Sequence, residues 1–137
     1  MTTEHQTMTA YLCAKGAPDA IQFYEEVFGA TLHGEPWRDP ADGRIGHSEL
    51  HLGGTRFFLS DEYPELGVLS PLTHGGTGVA FVVVVDDVDE VWARALERGA
   101  TVDRDLTVGN GMRSGWLHDP WGHRWNVGQL LDDSSES

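Results

Sequence analysis

The chain has 137 residues, which is enough for one domain with a sizeable hydrophobic core. It carries 22 acidic against 9 basic residues, a formal net charge of -13 at pH 7, and no basic stripe, so we expect no nucleic-acid partner. It contains no run of about 20 apolar residues and no basic, apolar leader, so we expect no membrane association and a cytoplasmic location.

The first half of the chain predicts a strand, a helix and then a set of short strands. The strand covers residues 9–15 (TAYLCAK), and the helix covers about residues 18–28, with Pro18 in its first turn and Gly29 after its last. Asp-Gly and Gly-Gly breaks within residues 35–62 predict antiparallel strands joined by hairpins. The helix presents one apolar face, whose members recur at spacings of three and four: Ala20, Phe23, Tyr24, Val27 and Phe28.

The same pattern returns after a connector rich in glycine and proline at residues 63–76. An apolar strand (VAFVVVVDD) begins near residue 79, and a helix follows in which Asp87 is the N-cap and Glu90 completes a capping box. Gly99 ends this helix. Its predicted buried stripe consists of Val88, Val91, Trp92, Ala95 and Leu96.

Two sequence echoes relate the halves of the chain to each other. The tripeptide GAT occurs at residues 29–31 and again at 99–101, and GGTRFFL from residue 53 matches WGHRWNV from residue 121 in pattern. Such self-similarity indicates a repeated structural unit. We therefore predict a single domain over residues 1–131, built of two modules (about 8–62 and about 77–130), followed by a disordered acidic tail over residues 132–137.

The segments AIQFYEEVFGA, VDEVWARALERGATV and SGWLHDPWGHRWNV, in this order, resemble the vicinal oxygen chelate superfamily of glyoxalases, bleomycin-resistance proteins and dioxygenases. GRIGHSELHLGGTRFFLSDE and DPWGHRW look most like its 3-demethylubiquinone methyltransferase-like branch. The resemblance implies an α+β fold in which two βαβββ modules form a curved, mixed, eight-stranded sheet with a ligand cavity in its concave face. It also implies a homodimer.

In the metal-using members of that superfamily, four ligands come from the first and last strands of the modules. Carried over to this sequence, the four positions are Thr9 or Ala10, Phe58, Val79 or Ala80, and Asn126. Transition metals need imidazole, thiolate or carboxylate donors, so we expect no metal and no cofactor there. Asn126 then either hydrogen-bonds a ligand or satisfies a neighbouring backbone group, and the sequence does not choose between these roles.

A second set of polar residues alternates along one predicted strand, GHSELHL. His47, Glu49 and His51 share one face of it, where they would serve as metal ligands or as acid and base, or simply form a solvated surface. Neighbours at i and i+2 are roughly 6.5 to 7 Å apart, so one ion cannot reach all three without ligands from elsewhere. His118 and His123 flank the Asp-Pro turn as exposed structural residues, and we assign no role to His5, His33 and His74.

Aromatic side chains outside the helices are the remaining candidates for ligand contact. Trp37, Trp116 and Phe58 can stack on a planar ligand, although core packing is the commoner role for any one aromatic residue. If Asn126 and Arg124 face the cavity, strand alternation directs Trp125 into the core.

We therefore predict a metal-free protein that sequesters a planar small molecule, cationic if the acidic charge attracts it, such as an antibiotic. The alternatives are a metal-dependent lyase, isomerase or dioxygenase of the same superfamily, and an interaction domain without a small ligand. No residue is assigned a catalytic role, and the lone Cys13, in an apolar run, is predicted to be a core residue. The predicted ligand-binding residues are Trp37, His47, Glu49, Phe58, Trp116, Arg124 and Asn126.

Overall fold

The first module is one mixed sheet with one helix across it. The computed structural model describes residues 5–132. The elements of this module are β1 (Tyr11–Ala14), α1 (Ala17–Phe28), β2 (Thr31–Leu32), β3 (Trp37–Arg38), β4 (Ile45–Leu52) and β5 (Thr55–Asp61). The strands run in the order β1-β5-β4-β2, with β3 paired to β4. Strand β1 is parallel to β5, while β4 and β5 form an antiparallel hairpin turned by Gly53 and Gly54.

The second module repeats this plan after a connector that holds a 3-10 turn (Pro64–Leu66) and a short helix, α2 (Pro71–His74). Its elements are β6 (Ala80–Val84), α3 (Val88–Glu97), β7 (Thr101–Gly109), β8 (Met112–His118) and β9 (Arg124–Leu130). The strands run in the order β6-β9-β8-β7, and the first strand of the module, β6, is again parallel to the last, β9.

The predicted α+β class and the two strand–helix–strand modules are confirmed. In residues 5–132 the strands number nine rather than eight, because the two-residue β3 pairs with β4. The nine strands lie in two sheets, one in each module. The predicted division into one domain with a connector stays a prediction. Of the predicted acidic tail, residues 133–137 lie outside the described part of the chain.

Both predicted helices are present, and each lies beside residues that were predicted to mark its ends. Helix α1 has Pro18 in its first turn and ends at Gly29, whose φ of 76° is a conformation that glycine adopts without strain. Helix α3 starts at Asp87, whose side chain accepts a hydrogen bond from the Glu90 backbone N–H. The prediction that Leu96 is buried was wrong: it is 37% exposed, because its position falls at the margin of the apolar stripe.

The core lies between the two sheets, around helix α1. The Tyr24 ring contacts Phe57 of β5 at 5.6 Å between centroids and Trp125 of β9 at 5.6 Å, so one helix packs against both modules. Each sheet thus has a helix-covered face and an opposite face, which we call its open face. The predicted burial of Trp125 is confirmed, since only 4% of it is exposed.

The turn before β9 connects the modules through buried polar groups. Tyr24 donates its hydroxyl proton to Asp119 Oδ2 at 2.5 Å, and Trp125 Nε1 donates to the same oxygen at 2.9 Å. His123 is 8% exposed and its Nε2 lies 2.8 Å from the Cys13 carbonyl oxygen, so the prediction of an exposed His123 was wrong. The turn is drawn into the core because the backbone of the first module supplies its hydrogen-bond partner. Among residues 5–132, no helix is both long and apolar enough to span a bilayer.

Candidate functional site

Three rings meet on the open face of the first sheet, and we call Tyr11, His47 and Phe58 the ring cluster. The Phe58 centroid is 4.7 Å from that of His47 and 5.5 Å from that of Tyr11, and Tyr11 and His47 are also 5.5 Å apart. All three pairs meet edge to face, which is the favourable geometry for aromatic quadrupoles. Tyr11 is 53% exposed, so the cluster presents ring surface to solvent.

Strand pairing explains how residues distant in sequence form the ring cluster. Tyr11 is the register partner of Phe58 across the parallel β1–β5 pair, and Phe58 is the partner of Glu49 across β5–β4. Partners across a ladder share a sheet face. Sequence reasoning missed Tyr11, because the register of a parallel pair separated by a helix leaves no local signal.

A hydrogen bond fixes the orientation of the Tyr11 ring. Its hydroxyl oxygen lies 2.8 Å from the Gly46 carbonyl oxygen and 2.8 Å from His47 Nδ1. Donation to Gly46 leaves the hydroxyl oxygen to accept from a protonated Nδ1, so both contacts are satisfied in one tautomer. Partial burial raises the pKa of the Tyr11 hydroxyl, which keeps it protonated at neutral pH.

Trp37 lies at the edge of the ring cluster, as the register partner of His47. Its ring covers Gly46 so closely that a Cβ added there would lie 2.6 Å from the indole carbon Cε3. Trp37 is nevertheless 55% exposed. The structure therefore brings four of the seven predicted residues, Trp37, His47, Glu49 and Phe58, onto one part of the first sheet.

The other three predicted residues lie together on the open face of the second sheet. The Arg124 guanidinium carbon is 4.4 Å from the Trp116 ring centroid and that of Arg104 is 5.1 Å away, so both cations lie over this ring. Arg124 also pairs with Asp103 at 3.1 Å. A ligand that reaches Trp116 therefore meets positive charge as well as a ring face, which the sequence reasoning did not anticipate.

Asn126 is buried and its side-chain nitrogen donates to the Gly115 carbonyl oxygen at 3.2 Å. This contact is the backbone-satisfying role that the sequence left open for Asn126. Since α1 covers one face of the first sheet, α3 covers one face of the second, and the two helices contact each other, the two open faces turn away from the shared core. The two groups of predicted residues therefore lie on separate surfaces of one chain.

The four positions that the family resemblance assigns to metal ligands do not carry side chains that bind a transition metal well. Phe58 has no lone pair and belongs to the ring cluster, and the Asn126 amide is committed to Gly115. The other two positions, at or just before the first strand of each module, are Thr9 or Ala10 and Val79 or Ala80. Among these residues only Thr9 has a side-chain oxygen. Neutral hydroxyl and amide oxygens bind transition metals poorly. These residues do not fit the metal of the fold.

A different polar cluster is built where β2 and β4 meet. Glu49 Oε2 lies 2.6 Å from His51 Nε2, and the rings of His51 and His33 stack at 4.5 Å with an angle of 7° between their planes. Nitrogen or oxygen atoms of His33, Glu49 and His51 all lie within 4.8 Å of one another. The predicted set of His47, Glu49 and His51 is thus divided, since His47 joins the ring cluster and His33 takes its place.

Sequence reasoning assigned no role to His33. Its backbone N–H donates to the Glu49 carbonyl oxygen at 2.8 Å, which extends the β2–β4 pairing by one residue. The hydrogen bond from His51 lowers the pKa of the Glu49 carboxyl, and the nearby His33 and Arg56 act in the same direction. Glu49 is therefore ionised at neutral pH.

An open cleft of about 910 Å³ lies between the first strands of the two modules. Its walls include Tyr11, Phe57, Phe81, Val82 and Trp125, and they are largely apolar. None of the seven predicted residues lines this cleft, which sequence reasoning did not foresee. The cleft lies there because β1 and β6 are edge strands, so each has one edge that is not paired within its sheet.

Comparison with known proteins places these features in context. A sequence model of the family described as Glyoxalase/Bleomycin resistance protein/Dioxygenase superfamily matches residues 5–127. An uncharacterised protein of Mycobacterium bovis is 36% identical over 127 residues, which cover 89% of this chain and 82% of that protein.

Solved structures show the same fold. A protein from Pseudomonas aeruginosa superposes with a TM-score of 0.73 and 21% identity, covering 93% of this chain and 99% of that one. The PhnB protein of Bacillus cereus, whose description names a 3-demethylubiquinone-9 3-methyltransferase, superposes with a TM-score of 0.71 and 19% identity over 91% of this chain and 100% of that one.

Proposed function

This chain belongs to the Glyoxalase/Bleomycin resistance protein/Dioxygenase superfamily, and we propose that it binds a planar small molecule against the ring cluster, without metal at the four ligand positions of the fold. The observation that carries the proposal is the ring cluster itself, in which Phe58 occupies a position that a metal-binding member fills with a ligand. A phenyl ring there offers stacking surface in place of coordination.

The ring cluster suits a planar ligand for reasons of shape. Three rings that contact one another edge to face leave their outer faces free for a guest, and a guest that covers them removes apolar surface from water. Trp37, next to His47, extends this surface beyond the cluster. A single aromatic ring would give little selectivity, whereas several rings at fixed angles select a ligand of matching outline.

The charges around the ring cluster favour a cationic ligand. Glu49 is the strand neighbour of Phe58, and the Arg56 guanidinium already lies 5.6 Å from the Phe58 centroid, near the outer limit of a cation–π contact. A planar cation would displace the half-exposed Arg56 side chain from Phe58, take its place beside Glu49 and gain from the net charge of -13. Cationic, planar antibiotics are ligands of this kind.

We further propose that the protein acts as a homodimer in the cytoplasm. Val79, Val82 and Val84, at or near the free edge of β6, are each more than half exposed, and a second copy would cover them. Because one chain turns its two open faces away from its core, a second chain can set the second-sheet residues of one protomer opposite the ring cluster of the other. The lone buried Cys13 suits a reducing compartment.

Fluorescence titration tests the binding proposal. The full chain is titrated with planar aromatic cations and with neutral analogues of the same outline, with tryptophan emission and calorimetry as readouts. We expect saturable binding of a cation, and in Phe58→Ala a Kd raised about tenfold or more, equivalent to about 1.4 kcal/mol. Leu72→Ala, at an exposed position of the connector helix α2, is the control with unchanged Kd, and Val82→Ala reports on binding in the cleft.

Two results would contradict the proposal. Binding that survives Phe58→Ala but is lost in Val82→Ala would move the ligand to the cleft, and failure of every compound to bind would leave the ring cluster without a function. Sedimentation equilibrium at micromolar concentration tests the dimer separately, and a monomer would contradict that part.

The second candidate is a metal-dependent lyase, isomerase or dioxygenase, and the observation in its favour is the His33–Glu49–His51 cluster. Metal would polarise the oxygen atoms of a bound substrate. Reconstitution with divalent metals followed by glyoxalase and catechol-cleavage assays distinguishes this candidate, because turnover that a chelator abolishes would identify a catalyst.

A further inference from the structure

We propose that His33, Glu49 and His51 form a divalent transition-metal site at the β2–β4 edge of the first sheet, separate from the four metal positions of the fold. Two imidazole nitrogens and one carboxylate oxygen are a donor set that zinc and nickel bind in proteins. The inference does not depend on the proposed ligand, because it concerns different side chains and is tested with metal ions alone.

The backbone brings these three residues together. Thr31 and Leu32 pair with His51 and Leu50, so the next residue along the chain, His33, lies beside Glu49 and donates its N–H to the Glu49 carbonyl oxygen at 2.8 Å. Glu49 and His51 are two residues apart on β4 and therefore share its open face. Because one ion cannot reach all three alternating residues of a single strand, a ligand from another strand is needed, and His33 supplies it.

The distances are close to those that an ion requires. In a tetrahedral site with metal–ligand bonds of about 2.0 to 2.2 Å, two ligand atoms of one ion are about 3.3 to 3.6 Å apart. The three donor atoms lie within 4.8 Å of one another, so the widest pair has to approach by at most about 1.5 Å. His33 is exposed and its imidazole is free to turn out of the stack with His51.

The charges around the site allow a dication. Glu49 is the carboxylate of the site, and its Oε2 lies 2.6 Å from His51 Nε2. The opposing charge is Arg56, whose Nη1 lies 3.9 Å from Glu49 Oε2, and whose side chain is 48% exposed and able to turn into solvent. An ion would replace the 2.6 Å contact between Glu49 and His51 with two coordinate bonds.

Three protein ligands leave at least one coordination position for water or substrate. Glu49 and His51 are partly exposed and His33 is exposed, so this position is open to solvent. Sites that keep an open position are typical of metals that take part in chemistry, whereas structural zinc sites are closed by four protein ligands. The site also lies on the same open face as the ring cluster, because Glu49 is the register partner of Phe58 across the β4–β5 pair.

Metal titration of the full chain tests the site. The protein is dialysed against chelator and then titrated with Zn²⁺ and Ni²⁺ by calorimetry and equilibrium dialysis at pH 7.5, and the visible spectrum of bound Co²⁺ gives a second readout. We expect about one ion per chain, and at least a tenfold loss of affinity in each of His33→Ala, Glu49→Gln and His51→Ala.

Control variants separate this site from nonspecific binding. His74→Ala and His118→Ala each remove a histidine that lies outside the proposed site, so both variants should bind metal as the unchanged chain does. Circular dichroism checks that each variant is folded, and we expect all of them to fold because the substituted residues are exposed or partly exposed. Absence of saturable binding, or full affinity in any of the three ligand variants, would overturn the assignment.

Discussion

Replacing Asp119 by asparagine should destabilise the protein strongly, because Asp119 joins the two modules. Its Oδ2 accepts from Tyr24 Oη at 2.5 Å and from Trp125 Nε1 at 2.9 Å, and its Oδ1 accepts from the backbone N–H groups of Trp121 and His123 at 3.0 Å each. The residue is 4% exposed, so water cannot replace a lost partner.

The magnitude follows from the donors and acceptors. An amide keeps the Oδ1 contacts, and the Tyr24 hydroxyl can reverse its role and accept from the new amide nitrogen. The Trp125 N–H has no such freedom and would face another donor while buried. Losing a hydrogen bond to a charged group and leaving one buried donor unsatisfied costs about 2 to 4 kcal/mol. Asp119→Ala, which removes all four contacts, should cost more than Asp119→Asn.

Urea unfolding followed by circular dichroism measures these costs. With a slope of about 1.5 kcal/mol per molar urea, the Asp119→Asn midpoint should fall by about 1.3 to 2.7 M. Asp86→Asn changes an exposed carboxylate in the same way and should shift the midpoint little. An Asp119→Asn variant as stable as Asp86→Asn would refute the reasoning that this carboxylate holds the modules together.

Two further predictions concern stability. A Cβ at Gly46 would lie 2.6 Å from the exposed Trp37 ring, whereas one at Gly115 would lie 2.7 Å from the buried Trp92 ring and 3.0 Å from the Arg104 carbonyl oxygen. Thermal unfolding should therefore show a cost below about 1 kcal/mol for Gly46→Ala and about 1 to 3 kcal/mol for Gly115→Ala, and equal costs would contradict this account. Burial and the charge of Asp119 hold the pKa of Tyr24 well above its ordinary value of 10.0, so the native state keeps a proton that the unfolded chain loses. The stability from this bond should be complete below pH 10 and decline above it, and urea unfolding of Tyr24→Phe between pH 9 and 11.5 should show a shallower decline than the unchanged chain; parallel curves would contradict the assignment.

Local patterns in the sequence predicted the fold well. Helices α1 and α3 follow from their apolar spacing and end residues, and the hairpin of β4 and β5 follows from Gly53 and Gly54, because these signals act within a few residues. The repeated modules follow from the internal echoes. Errors such as the exposed Leu96 arise at the margins of such patterns, where a helical stripe has no sharp edge.

The candidate sites were predicted only in part, because they depend on strand register. Alternation along β4 placed His47, Glu49 and His51 on one face, but it could not show that His47 bonds to Tyr11 while Glu49 and His51 turn towards His33. The β1–β5 and β2–β4 registers decide this division. Both registers are set by packing across the whole module, which a single sequence does not record.

The position of Glu49 relative to Phe58 connects the two proposals. At the position on β5 that the family resemblance assigns to a metal ligand, this chain has Phe58, whose register partner on the neighbouring strand β4 is Glu49. The donor group is thus displaced by one strand and acquires two imidazole neighbours, His33 and His51. A ligand lying on the ring cluster would extend towards this carboxylate, so an ion there would have the ring-bound molecule as its neighbour. The two proposed functions thus share one face of the first sheet, and metal titration of the chain distinguishes between them.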